Sequence, residues 1–322
     1  MLASIGEEVS SIYVVDDKCP EETGRFVEQT TTDPRIKVLY HQANEGVGGA
    51  TLTGMREAAA DGADVIVKID GDGQMDPALI PNFVGVILGG EADYAKGNRF
   101  FEPEGVVSMP RSRLIGNAGL SFLAKLSTGY WHIFDPTNGF IAIHASLIGL
   151  LPLDKIAKRY FFETDLLFRL NILTAKIVDI PMHARYCGEK SNMNPLREIP
   201  RFMTAHLINM FKRIIYSYYV RDFSIASLDL VLGSVLILFG AIYGIANWGR
   251  DVPATPGTVM IAALPIIVGF QLLLAFLNYD IQSVPRFTLH VRMISSRRPM
   301  RVLKQAPSGS AERDSIKTDH PG

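Results

Sequence analysis

Val65-Ile66-Val67-Lys68-Ile69-Asp70-Gly71-Asp72-Gly73-Gln74-Met75-Asp76 decides the reading of this chain. The first five residues are mostly β-branched and apolar, which favours a strand. That strand runs directly into an acidic turn. Three carboxylates fall within seven residues, Asp70 to Asp76, with glycine at 71 and 73. Glycine permits a sharp turn and a close approach of ligand to backbone. Clustered carboxylates repel one another unless a cation sits among them. Hard oxygen donors of this kind suit Mg²⁺ or Mn²⁺, ions that commonly bridge protein and phosphate groups.

Strands and helices alternate on both sides of this segment. Ser11-Ile12-Tyr13-Val14-Val15 and Ile36-Lys37-Val38-Leu39-Tyr40 read as strands. Residues 49–60 and 78–88 read as helices, the second opened by Pro77, which suits a first helical turn. Such alternation predicts an α/β domain with a mostly parallel, Rossmann-like sheet covered on both faces. Ligands of open α/β sheets bind beyond the carboxyl ends of the strands. Asp16-Asp17 and Asp70-Gly71-Asp72 both fall at such ends. The domain is expected to span residues 1–198.

Residues 199–223 mix Phe202, Leu207, Phe211 and Ile215 with Arg201, Lys212, Arg213 and Arg221. That pattern predicts an amphipathic helix lying in a membrane interface. Leu230 to Gly249 then carries no charge over 20 residues, and Val252 to Tyr279 none over 28. Each is long enough to cross a hydrocarbon layer of about 30 Å. With a short turn between them, residues 224–280 predict a two-helix transmembrane hairpin. Basic residues flank both ends: Lys212, Arg213 and Arg221 before, Arg286, Arg292 and Arg297 after. The positive-inside rule places both ends of this multi-pass segment, and hence the catalytic domain and both termini, in the cytoplasm against the inner (plasma) membrane. Residues 281–322 read as a basic tail whose polar end is partly disordered.

Composition narrows the field. The chain has 322 residues and a formal net charge of −1, so nothing global points to nucleic acid. Mean hydropathy is +0.16, the excess lying mostly after Ser224. Cys19 and Cys187 form no C-x-x-C pair and are expected to be free thiols in a reducing cytosol. Met1-Leu2-Ala3 leads to Glu7 and Glu8 without the basic and apolar run of a signal peptide.

Other segments carry candidate chemistry. Asp16 and Asp17 could accept hydrogen bonds from a base or a ribose, or equally cap a helix. Asn44-Glu45-Gly46-Val47-Gly48-Gly49 is glycine-rich. It lacks the GK[ST] ending of a P-loop and does not fit G-x-G-x-x-G, which disfavours kinase and dinucleotide readings. Asp135-Pro136-Thr137-Asn138-Gly139-Phe140 follows an aromatic run. A carboxylate there could have a raised pKa and act as a base, orient a metal or a basic residue, or cap its own turn. Arg111 and Arg113 precede a predicted helix; Arg185, Lys190 and Ser191 lie in a loop. Cations beside a membrane helix suit a lipid phosphate. Glu163 and Asp165 open a helix, where acids stabilise the N-terminus.

Taken together these segments resemble the family 2 glycosyltransferases with a GT-A fold, nearest the polyprenyl-phosphate, dolichol-phosphate mannose synthase-like branch. Val14-Val15-Asp16-Asp17 resembles the nucleotide-binding strand end. Asn44-x-Gly46-x-Gly48 through Gly54 resembles the N-x-G-x-G-x-A-x-x-x-G loop and helix. Asp70-Gly71-Asp72-Gly73-Gln74 looks like the D-A-D-x-Q metal motif. Gly97-Asn98-Arg99-Phe100, Arg111 to Asn117 and Asp135 to Phe140 are similar to the G-S-R-Y, R-x-x-x-N and D-x-x-S-G-F segments. Arg185 to Ser191 resembles R-x-x-G-x-S-K, with Lys and Ser in the other order. No Q-x-x-R-W of processive synthases is present.

The resemblance implies Asp70, Asp72 and Gln74 at a metal site for Mg²⁺ or Mn²⁺, and Asp16 or Asp17, with Asn44 and Gly46, near a nucleotide-sugar donor. It implies Arg111, Arg113, Arg185, Lys190 and Ser191 on the acceptor phosphate. Asp72 and Asp135 are the catalytic candidates. The expected reaction is metal-dependent, inverting transfer of a single sugar to a polyprenyl-phosphate carrier among membrane lipids. A sugar hydroxyl on a lipid-linked or cell-surface glycan is the alternative acceptor, with Asp135 as base. Family members open with a strand and a P-x-Y-N-E segment upstream of the region seen here, so an N-terminally truncated domain, or an inactive membrane scaffold, is a further expectation. Donor base and sugar are open, as is the oligomeric state, a homo-oligomer included.

Overall fold

The computed structural model describes residues 1–101, 111–182, 195–248 and 254–297. β1 (Ile12–Asp16) and β2 (Ile36–Tyr40) form a two-stranded parallel sheet in register from Ile12 opposite Ile36 to Asp16 opposite Tyr40. A second sheet holds β3 (Val65–Lys68), β4 (Tyr94–Asn98), β5 (Ile141–His144) and β6 (Ile177–Pro181) in the order β3-β5-β4-β6. The expected α/β class holds. Within it the sheet is mixed, because β5 runs antiparallel to both β3 and β4 while β4 and β6 are parallel.

Period-two alternation gives this sheet two buried faces. Tyr94, Ile141 and Ile143 face one core, with Leu52 and Met55 of α2 (Val47–Ala60) and Phe162, Leu166 and Leu170 of α5 (Phe162–Ile172). Ala95, Phe140 and Ala142 face the other, with Phe83 and Ile87 of α3 (Ile80–Leu88). Phe83 and Phe140 stack at 4.1 Å and are fully buried. Each such side chain contributes about 1.5–3 kcal/mol through removal of apolar surface from water. The short α1 (Thr23–Thr30) and the long α4 (Arg111–Thr128) complete this part of the chain.

Past β6, α6 (Pro195–Ile215) and a π turn (Tyr216–Arg221) lead to a helical hairpin of α7 (Ile225–Asn247) and α8 (Pro256–Gln282). The hairpin helices have hydropathies of 2.3 and 2.5, yet only 22% and 11% of their apolar windows are buried. A core helix would be covered; these present their apolar side chains outward. Both are long enough to cross a membrane, and the chain is membrane-associated.

Two joints fasten the hairpin to the α/β domain. Arg213 of α6 was expected to be a flanking surface charge. It is instead 3% exposed and forks onto Asp280 of α8, at 2.6 and 3.0 Å. Tyr218 also donates to Asp280, at 2.5 Å. Beyond the hairpin, α9 (Leu289–Arg297) returns to the domain. The fully buried Asp93 accepts the N–H groups of Leu289 and His290 at 2.8 Å each and pairs with His290 Nδ1 at 2.6 Å. The His290 ring stacks on His144 at 4.3 Å.

Candidate active site

β3 carries Asp70 to the end of the sheet, where the chain turns on its own side chains. Asp72 Oδ1 accepts the Gln74 N–H at 2.9 Å, and Asp76 Oδ1 accepts the Ala78 N–H at 3.1 Å. Gly73 has φ +76°, a left-handed conformation that side chains resist. Open space surrounds Gly71 and Gly73. Asp70 is paired through Oδ1 with Lys68 Nζ at 2.6 Å, and the same nitrogen lies 3.8 Å from Glu163 Oε1. Burial pushes the Glu163 carboxyl up, against the opposing charge of Lys68.

The segment around Asp135 closes over this turn. A Cβ on Gly139 would lie 2.5 Å from Asp70 Oδ2, so a side chain there would have to displace that carboxylate. Asp135 is 1% exposed and takes Arg99 in a two-point pair, at 2.7 Å to Nε and 3.1 Å to Nη2. Asn138 donates to it at 3.2 Å. The raised pKa expected from an apolar setting is not found. Burial pushes the carboxyl up, but the Arg99 guanidinium outweighs it, helped by Lys96 and Asn138, and holds it below the usual carboxylate range. Lys96 is fully buried, donates to the Asn138 carbonyl at 2.6 Å and is pushed down to about 8 by burial. Asp179 of β6 accepts from Asn98 and from the Phe134 N–H; burial pushes its carboxyl up.

The glycine-rich loop lies at the ends of β1 and β2, where Asp16 and Asp17 hold the backbone. Asp16 accepts N–H groups from Cys19 and Gly24, at 2.7 Å each. Asp17 accepts those of Glu45 and Gly46, also at 2.7 Å, and pairs with His41. Asn44 donates to the Asp17 carbonyl at 3.1 Å. Gly46 has φ +88° and sits against the Lys158 carbonyl. So Asp16, Asp17, Asn44 and Gly46 are brought together as a loop-holding cluster at the ends of β1 and β2.

Comparison with known proteins bears on this arrangement. The family model described as glycosyl transferase family 2 matches residues 2–149. An undecaprenyl-phosphate mannosyltransferase of Micrococcus luteus is 31% identical over 175 residues, covering 54% of this chain and 71% of that protein. The chain belongs to glycosyl transferase family 2. A UDP-N-acetylglucosamine–dolichyl-phosphate N-acetylglucosaminyltransferase of Methanococcus voltae is 29% identical over 189 residues, covering 55% and 75% of the two chains. A dolichol-phosphate mannosyltransferase of Pyrococcus furiosus is 26% identical over 171 residues, covering 53% and 46%.

In this glycosyltransferase the predicted acceptor cations are placed unevenly. Arg111 and Arg113 open α4, but their side chains are outside the described residues, and so are Arg185, Lys190 and Ser191 altogether. Sequence reasoning passed over Lys68, Lys96, Arg99 and Asp179 as site residues. Arg99 carried a signal, since it sits in the Gly97-Asn98-Arg99-Phe100 segment; Lys68 and Lys96 looked like ordinary strand residues. Among the described residues no three His, Cys, Asp or Glu side chains gather as a metal cage. Asp70 and Asp72 on an open turn do fit the sparser habit of Mg²⁺, which takes one or two carboxylates and fills its shell with water and phosphate oxygens. Trp131, four residues before Asp135, donates its Nε1–H to Asp280 of the hairpin at 2.9 Å. The segment that holds Asp135 is therefore bonded to the membrane helices.

Proposed function

We propose that this glycosyltransferase moves a single sugar from a nucleotide-sugar donor to a polyprenyl phosphate at the cytoplasmic face of the membrane. The Trp131–Asp280 bond carries the reading, because it ties the acceptor-side segment to the hairpin. Two relatives named for transfer to dolichyl phosphate and undecaprenyl phosphate support the same acceptor. Both ends of the hairpin lie on the catalytic side, and Arg221, Arg286 and Arg292 near those ends suit the cytoplasm.

In the proposed reaction an acceptor phosphate oxygen attacks the anomeric carbon from the face opposite the diphosphate. The new carbon–oxygen bond forms as the bond to the nucleoside diphosphate breaks, and configuration inverts. Asp72, with Asp70 and Gln74 beside it, would hold Mg²⁺ or Mn²⁺, which when bound offsets the charge of the leaving diphosphate. The acceptor phosphate is already ionised at neutral pH, so no strong base is needed. Asp135 holds Arg99, and Arg99 presents positive charge on the acceptor side; Arg111, Arg113, Arg185, Lys190 and Ser191 are the further groups proposed to bind the acceptor phosphate. A carboxylate held down by a guanidinium is a poor base, which disfavours a sugar hydroxyl as acceptor.

Membranes bearing the full chain should move radiolabel from a nucleotide sugar into an organic phase when polyprenyl phosphate is added. Asp72→Ala or EDTA should abolish it. Label recovered only on a glycan hydroxyl, or transfer unaffected by both treatments, sinks the reading.

A further inference from the structure

Lys68 ends β3, and Asp70 follows it two residues on. Lys68 Nζ lies 2.6 Å from Asp70 and 3.8 Å from Glu163. The lysine and Glu163 are nearly buried, at 10% and 11% side-chain exposure, whereas Asp70 is 32% exposed. Two carboxylates, Asp70 and Glu163, thus share one lysine. That lysine is held differently from Lys96, which lies across Ile141 of β5 from it. Lys96 is locked by a 2.6 Å hydrogen bond to the Asn138 carbonyl. Lys68 Nζ has no geometrically satisfied hydrogen bond among the described residues, although it is buried. Gly139 lies against the pair, and a side chain there would push its two charged ends aside. The ammonium therefore rests on the more exposed acid while a more buried one lies about an ångström beyond contact.

We propose that Lys68 is a built-in counter-cation for Asp70, which competes with a divalent ion for that carboxylate and moves to Glu163 when the ion binds. The inference rests on the metal reading above. A cation arriving at Asp70 and Asp72 repels the ammonium, and Glu163 is the nearest carboxylate able to take it. The pair would keep the empty acidic turn from repelling itself open. It would also weaken binding of the bare ion, so that the ion is held well only together with the diphosphate of the donor.

The test is Mn²⁺ titration of the purified full chain in detergent, free ion read by electron paramagnetic resonance. Lys68→Met should tighten Mn²⁺ binding by about tenfold, the loss of one competing ion pair in a partly buried site. Glu163→Gln removes the landing place and should weaken binding by roughly threefold. Lys68→Arg keeps the cation and should stay near wild type. Unchanged or weaker binding in Lys68→Met, or unchanged or tighter binding in Glu163→Gln, overturns the proposal. If Lys68→Met does not fold, Glu163→Gln decides. If neither the wild type nor Lys68→Met takes up Mn²⁺ at all, the metal reading itself has failed.

Discussion

Trp131 and Asp280 are 149 residues apart in the chain, yet the indole N–H of one meets the carboxylate of the other at 2.9 Å. Asp280 also takes both arms of Arg213 and the hydroxyl of Tyr218. One buried acid thereby joins the hairpin, the helix before it and the segment leading to Asp135.

Removing that acid strands Arg213 as an unpaired buried charge. Asp280→Ala should lower stability by about 3–5 kcal/mol. Thermal unfolding in detergent measures it, and a variant that melts with the wild type refutes the joint. Asp280→Asn, which retains a polar partner, should lose less. In the variant that still folds, KM for the lipid acceptor should rise while KM for the donor stays put.

Arg99→Ala should expose what Asp135 does. In the intact protein Asp135 has a lowered pKa, so its stabilising contribution is present above the ordinary carboxylate pKa of about 4. It is lost as pH falls through the lower native value. Without Arg99, burial prevails and the native pKa rises, so Asp135 costs stability at neutral pH and the cost is relieved as pH falls. Thermal melts followed by circular dichroism should show a variant that is less stable than the wild type at neutral pH and loses less on acidification; an equal loss in both counts against the pair. Transfer to the lipid acceptor should fall about a hundredfold if the guanidinium is needed in the transition state.

His206 gives a second pH handle. It is buried at the contact of α6 with α4, bonded to Ser127 at 2.8 Å, and burial pushes its pKa down to about 4. The depressed value means that its stabilising contribution is full above about 6.5 and is lost as pH falls toward 4. His206→Phe should flatten the fall in melting temperature between those limits. An equally steep profile in the variant rules out His206 as its source.

Gly139→Ala places a methyl group against Asp70 and Lys68. Both side-chain ends are flexible and can give way, so the fold should lose little while the Lys68–Asp70 pair is displaced. The expected outcome is a melting temperature close to the wild type together with weaker donor binding by calorimetry. Gly71→Ala, which meets open space, is the control and should melt near the wild type.

Much of this was legible in the residues. The β-branched run into Asp70 announces strand and turn, and the uncharged stretches after Ser224 announce the hairpin, because both signals are local. The antiparallel course of β5 was not legible: Ile141-Ala142-Ile143-His144 looks the same in either direction, and only its partners decide. The partners of Asp135, Asp16 and Asp17 were hidden for a related reason. A carboxylate in a list of residues does not show whether it faces a ligand, a guanidinium or a row of backbone N–H groups. Arg213 misled in the opposite sense, since a basic residue beside an apolar run is ordinarily at the surface, and its acid lies 67 positions away.

The return of α9 to Asp93 has a mechanical meaning. A domain held to its hairpin at a single point could swing away from the bilayer. Here the chain enters the hairpin beside Arg213 and is fastened again at Asp93 after leaving it, so the domain hangs from two hinges rather than one. The distance of Asp70 and Asp135 from the hairpin is then a built dimension, and under the proposed reaction it would select an acceptor whose phosphate rides at that depth.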